Sequence, residues 1–159
     1  MHSNVLPLQR LIPIIRKLKK QGKRVALTNG CFDLLHVGHL GVLEQIKRRA
    51  DVLVVAINTD ASVRRLNKGP GRPVVPASER ARLIAALKPV DWVTLFSEET
   101  PLRAVRALKP DLLAKGADWK GKRVVGRTEV ESWGGRAVLL PYRKGRSTTA
   151  LLRKIQGLR

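Results

Sequence analysis

Short apolar runs alternate with amphipathic stretches along the chain. The run Val52–Ile57 is apolar throughout, as expected of a parallel strand buried on both faces. The periodicity predicts strands over residues 24–28, 51–58, 90–96, 111–114 and 136–140. Helices are predicted over residues 8–21, 38–49, 100–108 and 147–155, with a further helix capped by Ser78 and ending near Lys88.

Strands that alternate with helices of this length are typical of βαβ units. The pattern therefore predicts an α/β fold: a Rossmann-like open parallel sheet with helices on both faces, in a single domain. Residues 1–22 are expected to form a lead-in helix, and residues 23–159 the main domain. In such sheets the ligand lies beyond the carboxyl ends of the strands, which directs attention to residues 28–39, 58–72, 115–119 and 145–149.

The composition adds a strong basic excess to this picture. The formal net charge is +20, and all twelve acidic residues lie between Asp33 and Glu131. Such a balance predicts attraction to polyanions, although a solvated basic surface accounts for the excess as well. The acid-free N-terminus fits either a transit peptide or an amphipathic helix packed on the domain. No apolar run approaches the roughly 18 residues that span a membrane, and the single cysteine, Cys31, suits a cytoplasmic protein.

The most informative stretch runs from Thr28 to His39, where a strand leads into a helix. His36 and His39 are three positions apart, so they share one face of the helix start, which is itself an anion site. Two imidazoles there can donate hydrogen bonds to oxygens that gain charge during phosphoryl-type transfer. The alternatives are a purely structural histidine pair, a metal site formed by Asp33 with both histidines, and Cys31 as a nucleophile. Asp33 is also a candidate N-cap of the helix.

The sequence Gly-Cys-Phe-Asp-Leu-Leu-His-Val-Gly-His at residues 30–39 resembles the signature of the HxGH nucleotidyltransferase superfamily, the cytidylyltransferase-like group. From about residue 22 to residue 156 the chain more narrowly resembles the adenylyltransferases that make ADP-heptose from D-glycero-β-D-manno-heptose 1-phosphate and ATP. Residues 115–119 resemble a Val-Lys-Gly-Gly-Asp-Tyr motif of that family, with Ala117 and Trp119 as departures. Residues 145–149 resemble its Gly-x-Ser-Thr-Thr motif.

The resemblance implies a role for each matching residue. Catalytic roles fall to His36, His39, Lys68 and Lys115. The residues expected to bind the nucleotide are Asn29, Gly30, Cys31, Phe32, Gly38, Arg72, Arg80, Ser147, Thr148 and Thr149. The residues expected to bind the acceptor are Asp33, Asn58, Asp60, Lys115, Gly116 and Asp118. The Gly/Pro-rich loop of residues 68–76 is expected to fold over a triphosphate.

Simpler interpretations of several of these residues stay open. On the residues alone, Arg72 fits a solvated loop, Arg80 an ordinary helical arginine, and Asp60 and Ser147 ordinary helix caps. Cys31 fits a small packing residue at the base of the loop.

The resemblance also implies substrates and partners. It implies a nucleotidyltransferase domain over residues 23–159 that uses ATP and a sugar 1-phosphate, with Mg²⁺ held mainly by substrate phosphates. A separate sugar kinase is expected, since the chain has no room for one, and relatives are commonly homodimers. One rival is a cytidylyltransferase acting on glycerol 3-phosphate or another polyol phosphate. Another is a basic nucleic-acid-binding domain, which the scarcity of aromatic residues does not favour.

Overall fold

The computed structural model describes residues 4–67, 69–116, 124–141 and 147–157. Within these residues, five strands form one parallel sheet in the order β3-β2-β1-β4-β5. The strands are β1 (Val25–Gly30), β2 (Val52–Asn58), β3 (Trp92–Phe96), β4 (Leu112–Gly116) and β5 (Arg136–Leu140). The predicted fold class is confirmed, and each predicted strand lies within about two residues of its observed bounds.

The helices fill the connections between these strands. They are α1 (Leu8–Lys20), α2 (Val37–Lys47), α3 (Asp60–Arg65), α4 (Ala77–Ala85), α5 (Leu102–Leu108), α6 (Arg127–Ser132) and α7 (Thr148–Gln156). The sequence did not predict α6, because six residues with Val130 as the buried side chain show no helical periodicity. No helix in the described part of the chain is long and apolar enough to cross a membrane.

The cap predicted for α4 is wrong. Pro76 occupies the N-cap position and makes no side-chain cap hydrogen bond, so Ser78 lies inside the first turn. Proline is well suited to a helix start because its fixed φ matches the entry and it has no amide proton that needs an acceptor.

Helices cover both faces of the sheet, as predicted. On one face α1, α5 and α6 bury apolar side chains, among them Leu11, Val105 and Val130, against the strands. On the other face α2 and α4 pack through side chains that include Leu43 and Ile84. Helix α1 is therefore an amphipathic helix packed on the domain. The division of the chain at residue 22 stays a prediction.

A short segment before α1 covers the outer edge of strand β3. Val5 forms a parallel bridge with Val93. The amide of Leu6 donates to the Val93 carbonyl at 2.9 Å, and the Val93 amide donates to the Asn4 carbonyl at 2.9 Å. The segment thus satisfies backbone groups of β3 on the side that faces away from β2.

Three aspartates pin the amino end of the sheet. Asp51, Asp91 and Asp111 each stand immediately before a strand, and each accepts a hydrogen bond from a backbone amide of the neighbouring chain segment. The amides are those of Arg24 (2.8 Å), Leu53 (2.6 Å) and Val25 (2.8 Å), respectively. Asp91 also pairs with Lys47 at 2.6 Å, and Asp111 with Lys19 at 2.9 Å.

Candidate functional site

The sheet order places the candidate site where the connections leave in opposite directions. Strands β1 and β4 are neighbours at the centre of the sheet, although two strands, β2 and β3, separate them along the chain. The registration of Thr28 with Ala114 brings Asn29 and Gly30 beside Lys115 and Gly116 at the carboxyl ends. This is the crevice in which open α/β sheets bind ligands. The signature loop, residues 29–39, begins at this point.

The two signature histidines lie together at the start of α2. Their rings stack with centroids 3.8 Å apart and planes inclined by 20°. His36 is the N-cap, and its Nδ1 accepts a hydrogen bond from the Gly38 amide at 3.1 Å. Because Nδ1 is the acceptor, the neutral His36 ring carries its proton on Nε2. Burial lowers the pKa of the His36 imidazole below its ordinary value of 6.5, so the ring is neutral near pH 7 and Nε2–H can donate.

Phe32 supports His39 from the loop. The Phe32 ring centroid lies 5.1 Å from that of His39, with the planes inclined by 53°. Phe32 itself has a left-handed backbone with φ of 48°. A β-carbon at Gly30 would stand 3.1 Å from Cε2 of Phe32, so the absence of a side chain at Gly30 lets the ring lie over the strand end.

Lys115 brings a buried ammonium group to the same strand ends. Its side chain is almost inaccessible to solvent, and its Nζ donates to the backbone carbonyl of Asn29 at 3.0 Å. The Asn29 Oδ1 is also buried and accepts no hydrogen bond within the described residues. A buried lysine and an unsatisfied acceptor at one point of the crevice are features of a ligand-binding position. In a protein core, buried polar groups normally have hydrogen-bond partners.

Arg80 is completely buried. Its guanidinium bonds to three chain segments, one of which is the signature loop. Its Nε donates to the Val75 carbonyl at 2.8 Å, and its Nη2 donates to Asp60 Oδ1 at 2.7 Å. Its Nη1 donates to the Cys31 carbonyl. The guanidinium therefore has backbone and side-chain acceptors within the protein, and its predicted contact with the nucleotide stays a prediction.

The polar residues after β2 bond to one another. Asn58 is buried, and its Nδ2 donates to Ser62 Oγ at 2.9 Å, while the Cys31 thiol faces Asn58 Oδ1 at 3.8 Å. Asp60 does not cap α3. Thr59 takes that position and its Oγ1 accepts from the Ser62 amide at 3.4 Å, because the Asp60 carboxylate is bonded to Arg80. The predicted acceptor contacts of Asn58 and Asp60 stay predictions.

Asp33 is not the N-cap of α2 either, because His36 takes that position. The Asp33 carboxylate is buried, and its Oδ1 accepts from the amides of Val74 at 2.8 Å and Val75 at 3.0 Å. Its Oδ2 accepts from Nε of Arg72. Asp33 and Arg72, for which the resemblance implied acceptor and nucleotide contacts, therefore lie against each other.

The start of α7 reaches the signature loop. Ser147 is the N-cap, with Oγ accepting from the Ala150 amide at 3.1 Å. The Thr148 hydroxyl donates to the Leu34 carbonyl at 3.4 Å, and Thr149 is exposed. The structure thus brings Thr148 into contact with the loop that carries the histidines. The predicted phosphate contacts of Ser147, Thr148 and Thr149 stay predictions.

Two predicted residues lie outside the described part of the chain. These are Lys68, assigned a catalytic role, and Asp118, assigned to the acceptor. The motif residues Ala117, Trp119, Gly145 and Arg146 lie outside it as well.

A separate groove of about 330 Å³ lies at the carboxyl end of the edge strand β3. Its lining includes Leu6, Phe96 and Arg103 and excludes both histidines. Arg103 is already paired with Glu98 at 2.9 Å. The converging donors of the crevice, rather than this groove, mark the candidate site.

Sequence reasoning missed the network that holds the loop of residues 72–75. A signal for it exists, since Val74 and Val75 stand between Pro73 and Pro76. Prolines on both sides exclude this pair from a strand ladder or helix, so their two amides need acceptors elsewhere. A buried carboxylate such as that of Asp33 needs such donors.

The chain is similar to known proteins over most of its length. A family model described as cytidylyltransferase-like matches residues 27–136. The chain is 50% identical over 154 residues to the bifunctional protein HldE of Geotalea uraniireducens. The aligned region covers 97% of this chain and 31% of that protein. It is 49% identical over 152 residues to the protein of the same name from Gluconobacter oxydans. That aligned region covers 96% of this chain and 32% of that protein. The chain thus spans about a third of the length of these relatives.

Solved structures give a consistent result. A lipopolysaccharide core biosynthesis protein from Thermoplasma volcanium superposes with a TM-score of 0.64 at 29% identity, covering 77% of this chain and 98% of that one. A pantoate–β-alanine ligase from Francisella tularensis superposes with a TM-score of 0.60 at 14% identity, covering 91% of this chain and 68% of that one. The second likeness concerns the fold alone.

Proposed function

Because the chain belongs to the cytidylyltransferase-like family, we propose that it is an adenylyltransferase that transfers AMP from ATP to a heptose 1-phosphate, with ADP-heptose and pyrophosphate as products. The observation that carries the reaction class is the stacked pair His36 and His39 at a helix start, beside the central strand ends. The choice of substrate is supported by the motif resemblance and by identity of about 50% to the HldE proteins.

In the proposed reaction an oxygen of the sugar phosphate attacks the α-phosphorus of ATP. The new bond joins that oxygen to the α-phosphorus, and the bond from the α-phosphorus to the bridging oxygen breaks, so that pyrophosphate leaves. His36, through Nε2–H, and His39 donate hydrogen bonds to oxygens that gain negative charge. Lys68 and Lys115 neutralise phosphate charge, and Ser147 and Thr148 hold phosphates at the start of α7.

We propose Mg²⁺ as the cofactor, bound mainly by phosphate oxygens and water. The donor set fits this arrangement: in the described ranges no group of three His, Cys, Asp or Glu side chains is placed to hold a metal ion. Asp33, the carboxylate nearest the histidines in sequence, uses both oxygens for donors of the protein. When bound, the ion would supply positive charge that shields the phosphates of ATP.

The other predicted partners remain proposals. We place the reaction in the cytoplasm, where ATP is available, and expect a sugar kinase to supply the heptose 1-phosphate. The homodimer stays a prediction.

The test is pyrophosphate release with ATP or CTP, each combined with heptose 1-phosphate or glycerol 3-phosphate. Turnover is expected only with ATP and heptose 1-phosphate. Faster turnover with CTP and glycerol 3-phosphate would replace the proposed substrates and keep the reaction class. Binding to DNA with a steep salt dependence, together with no consumption of any triphosphate, would refute the enzyme assignment.

A further inference from the structure

The signature loop contains one acidic residue, Asp33, and its surroundings differ from those of a substrate contact. The side chains of Asp33 and Arg72 are 1% and 8% exposed, and they form an ion pair with each other. The two backbone amides of Val74 and Val75 complete the surroundings of the Asp33 carboxylate. Hydrogen bonds to an ionised group in such a buried position are among the strong ones in proteins.

The segment Arg72–Val75 is fastened to the signature loop at a second point. Arg80 donates to the Val75 carbonyl and to the Cys31 carbonyl, so its guanidinium joins the end of the segment to the base of the loop. The two attachments involve different residues of the loop, Cys31 and Asp33. Together they fix both the distance and the orientation of the segment relative to the loop that carries the histidines.

The charge of Arg72 is already compensated. A guanidinium that is buried against a carboxylate adds little net positive charge for a triphosphate to bind. Breaking the pair to reach a phosphate would leave the Asp33 carboxylate buried and uncompensated, which is costly. The pair is thus better suited to hold the loop than to contact substrate.

We propose that Asp33 and Arg72 are positioning residues, whose ion pair holds the segment of residues 72–75 on the signature loop and thereby sets the ATP-binding side of the crevice. This inference rests on the proposed function. It replaces, for these two residues, the acceptor and nucleotide contacts that the resemblance implied. Neither side chain touches substrate in this arrangement.

The first test is amide hydrogen exchange in the protein without substrates. In Asp33→Asn and in Arg72→Gln the amides of Val74 and Val75 are expected to exchange about tenfold faster or more, since charge-assisted bonds to them are lost or weakened. The amides of Val54 and Val55 in the central strand are expected to keep their rates. Unchanged rates at Val74 and Val75 would overturn the proposal, and so would equal acceleration at all four amides, which indicates general destabilisation.

Asp91→Asn is the matched control. Asp91 also combines a backbone amide, that of Leu53, with a cation, Lys47, but it lies at the amino end of the sheet. In this variant exchange at Leu53 is expected to rise, while exchange at Val74 and the KM for ATP stay unchanged. A raised KM for ATP in Asp91→Asn would overturn the proposal, because general loosening would then account for the kinetic effect.

The kinetic test separates positioning from contact. Asp33→Asn and Arg72→Gln are each expected to raise the KM for ATP about tenfold, and the double variant is expected to be no worse than the worse single variant, because both changes release one segment. If the increase in the KM for ATP in the double variant equals the product of the two single increases, Arg72 contacts ATP directly. If Arg72→Gln does not fold, Arg72→Lys, which keeps the charge, is expected to restore slow exchange at Val74 and Val75, and fast exchange there would count against the proposal.

The exchange experiment uses no substrate, so it can succeed even if the enzyme assay shows no turnover. An active enzyme with unchanged exchange and kinetics in both variants would overturn the positioning role and leave the proposed function standing.

Discussion

Both ends of the parallel sheet carry polar side chains, but the two sets have different partners. At the amino end Asp51, Asp91 and Asp111 accept hydrogen bonds from backbone amides. At the carboxyl end His36 and His39 stack on each other, and the buried Lys115 donates to the Asn29 carbonyl. Carboxylates at the amino end therefore complete the backbone hydrogen bonding of the sheet, whereas the carboxyl end concentrates groups that can donate to an anion.

This difference predicts that substitutions at the two ends will separate activity from stability. Changes among the imidazoles should reduce turnover and leave unfolding nearly unaltered. Changes among the three aspartates should do the reverse. The following predictions test this separation, beginning with the largest effect.

The largest effect is expected for His36→Asn. Asparagine keeps an acceptor for the Gly38 amide and is a good N-cap, so the start of α2 should persist. The imidazole donor is lost, and kcat is expected to fall by about 10²- to 10³-fold. Steady-state pyrophosphate release measures the loss, and thermal unfolding should give an unchanged Tm. Turnover close to that of the unmodified protein would contradict the proposed mechanism.

The second effect concerns the amino end. Asp111→Ala leaves the amide of buried Val25 without its side-chain acceptor and removes the pair with Lys19. We expect the free energy of unfolding to fall by about 1–2 kcal/mol, at the low end for a lost partner, since solvent reaches 36% of the Asp111 side chain. Urea denaturation measures this, and kcat/KM should be unchanged. A loss of kcat/KM without a loss of stability would break the comparison.

The third effect is a pH dependence that arises from His36. Burial holds the pKa of the folded imidazole below its ordinary 6.5, so the unfolded chain binds the proton more readily. The contribution of the neutral His36 ring to the free energy of unfolding is fully present above pH 6.5. It is lost as the pH falls through the lowered pKa of the folded state. The free energy of unfolding, measured by urea denaturation, should fall more between pH about 7.5 and about 5.5 for the unmodified protein than for His36→Asn. Identical losses would count against a buried neutral ring.

The smallest effect distinguishes a cap from a phosphate contact at Ser147. Ser147→Ala is expected to cost about 1 kcal/mol of stability through the lost cap, and Ser147→Gly only a few tenths. If Ser147 also holds phosphate, the KM for ATP should rise by a similar factor, about threefold, in both variants, since one neutral hydrogen bond is lost in each. If the KM for ATP instead rises in the alanine variant and stays normal in the glycine variant, as the stability loss does, Ser147 is only a helix cap.

The features encoded locally could be predicted from the sequence. Apolar runs such as Val52–Ile57 predicted the strands, and the two histidines with the intervening glycine predicted the site at the first strand end. Membership of the cytidylyltransferase-like family and the nucleotidyltransferase class are confirmed. These features depend on residues that are close together in the chain, so their spacing is informative by itself.

The features that depend on distant partners could not be predicted. Asp33 and Asp60 both fit N-caps by position, but Asp33 bonds to residues about 40 positions away and Asp60 to Arg80. A carboxylate accepts from whichever donor the fold brings to it, and charged or paired donors compete well with a free helix amide. His36 and Thr59 then take the cap positions. The spacing of residues alone does not reveal this competition.

The segment before α1 has a consequence for self-association. An uncovered outer strand offers its amides and carbonyls as a template for a strand of another molecule. In this protein the Asn4–Leu6 segment already occupies the outer side of Val93. A chain shortened to begin at Pro7 would expose those groups next to apolar Leu95, and we expect it to aggregate at concentrations at which the full chain stays dispersed in light scattering. The segment of residues 4–6 is thus expected to protect the sheet from pairing with other molecules, at an edge that lies apart from the candidate site.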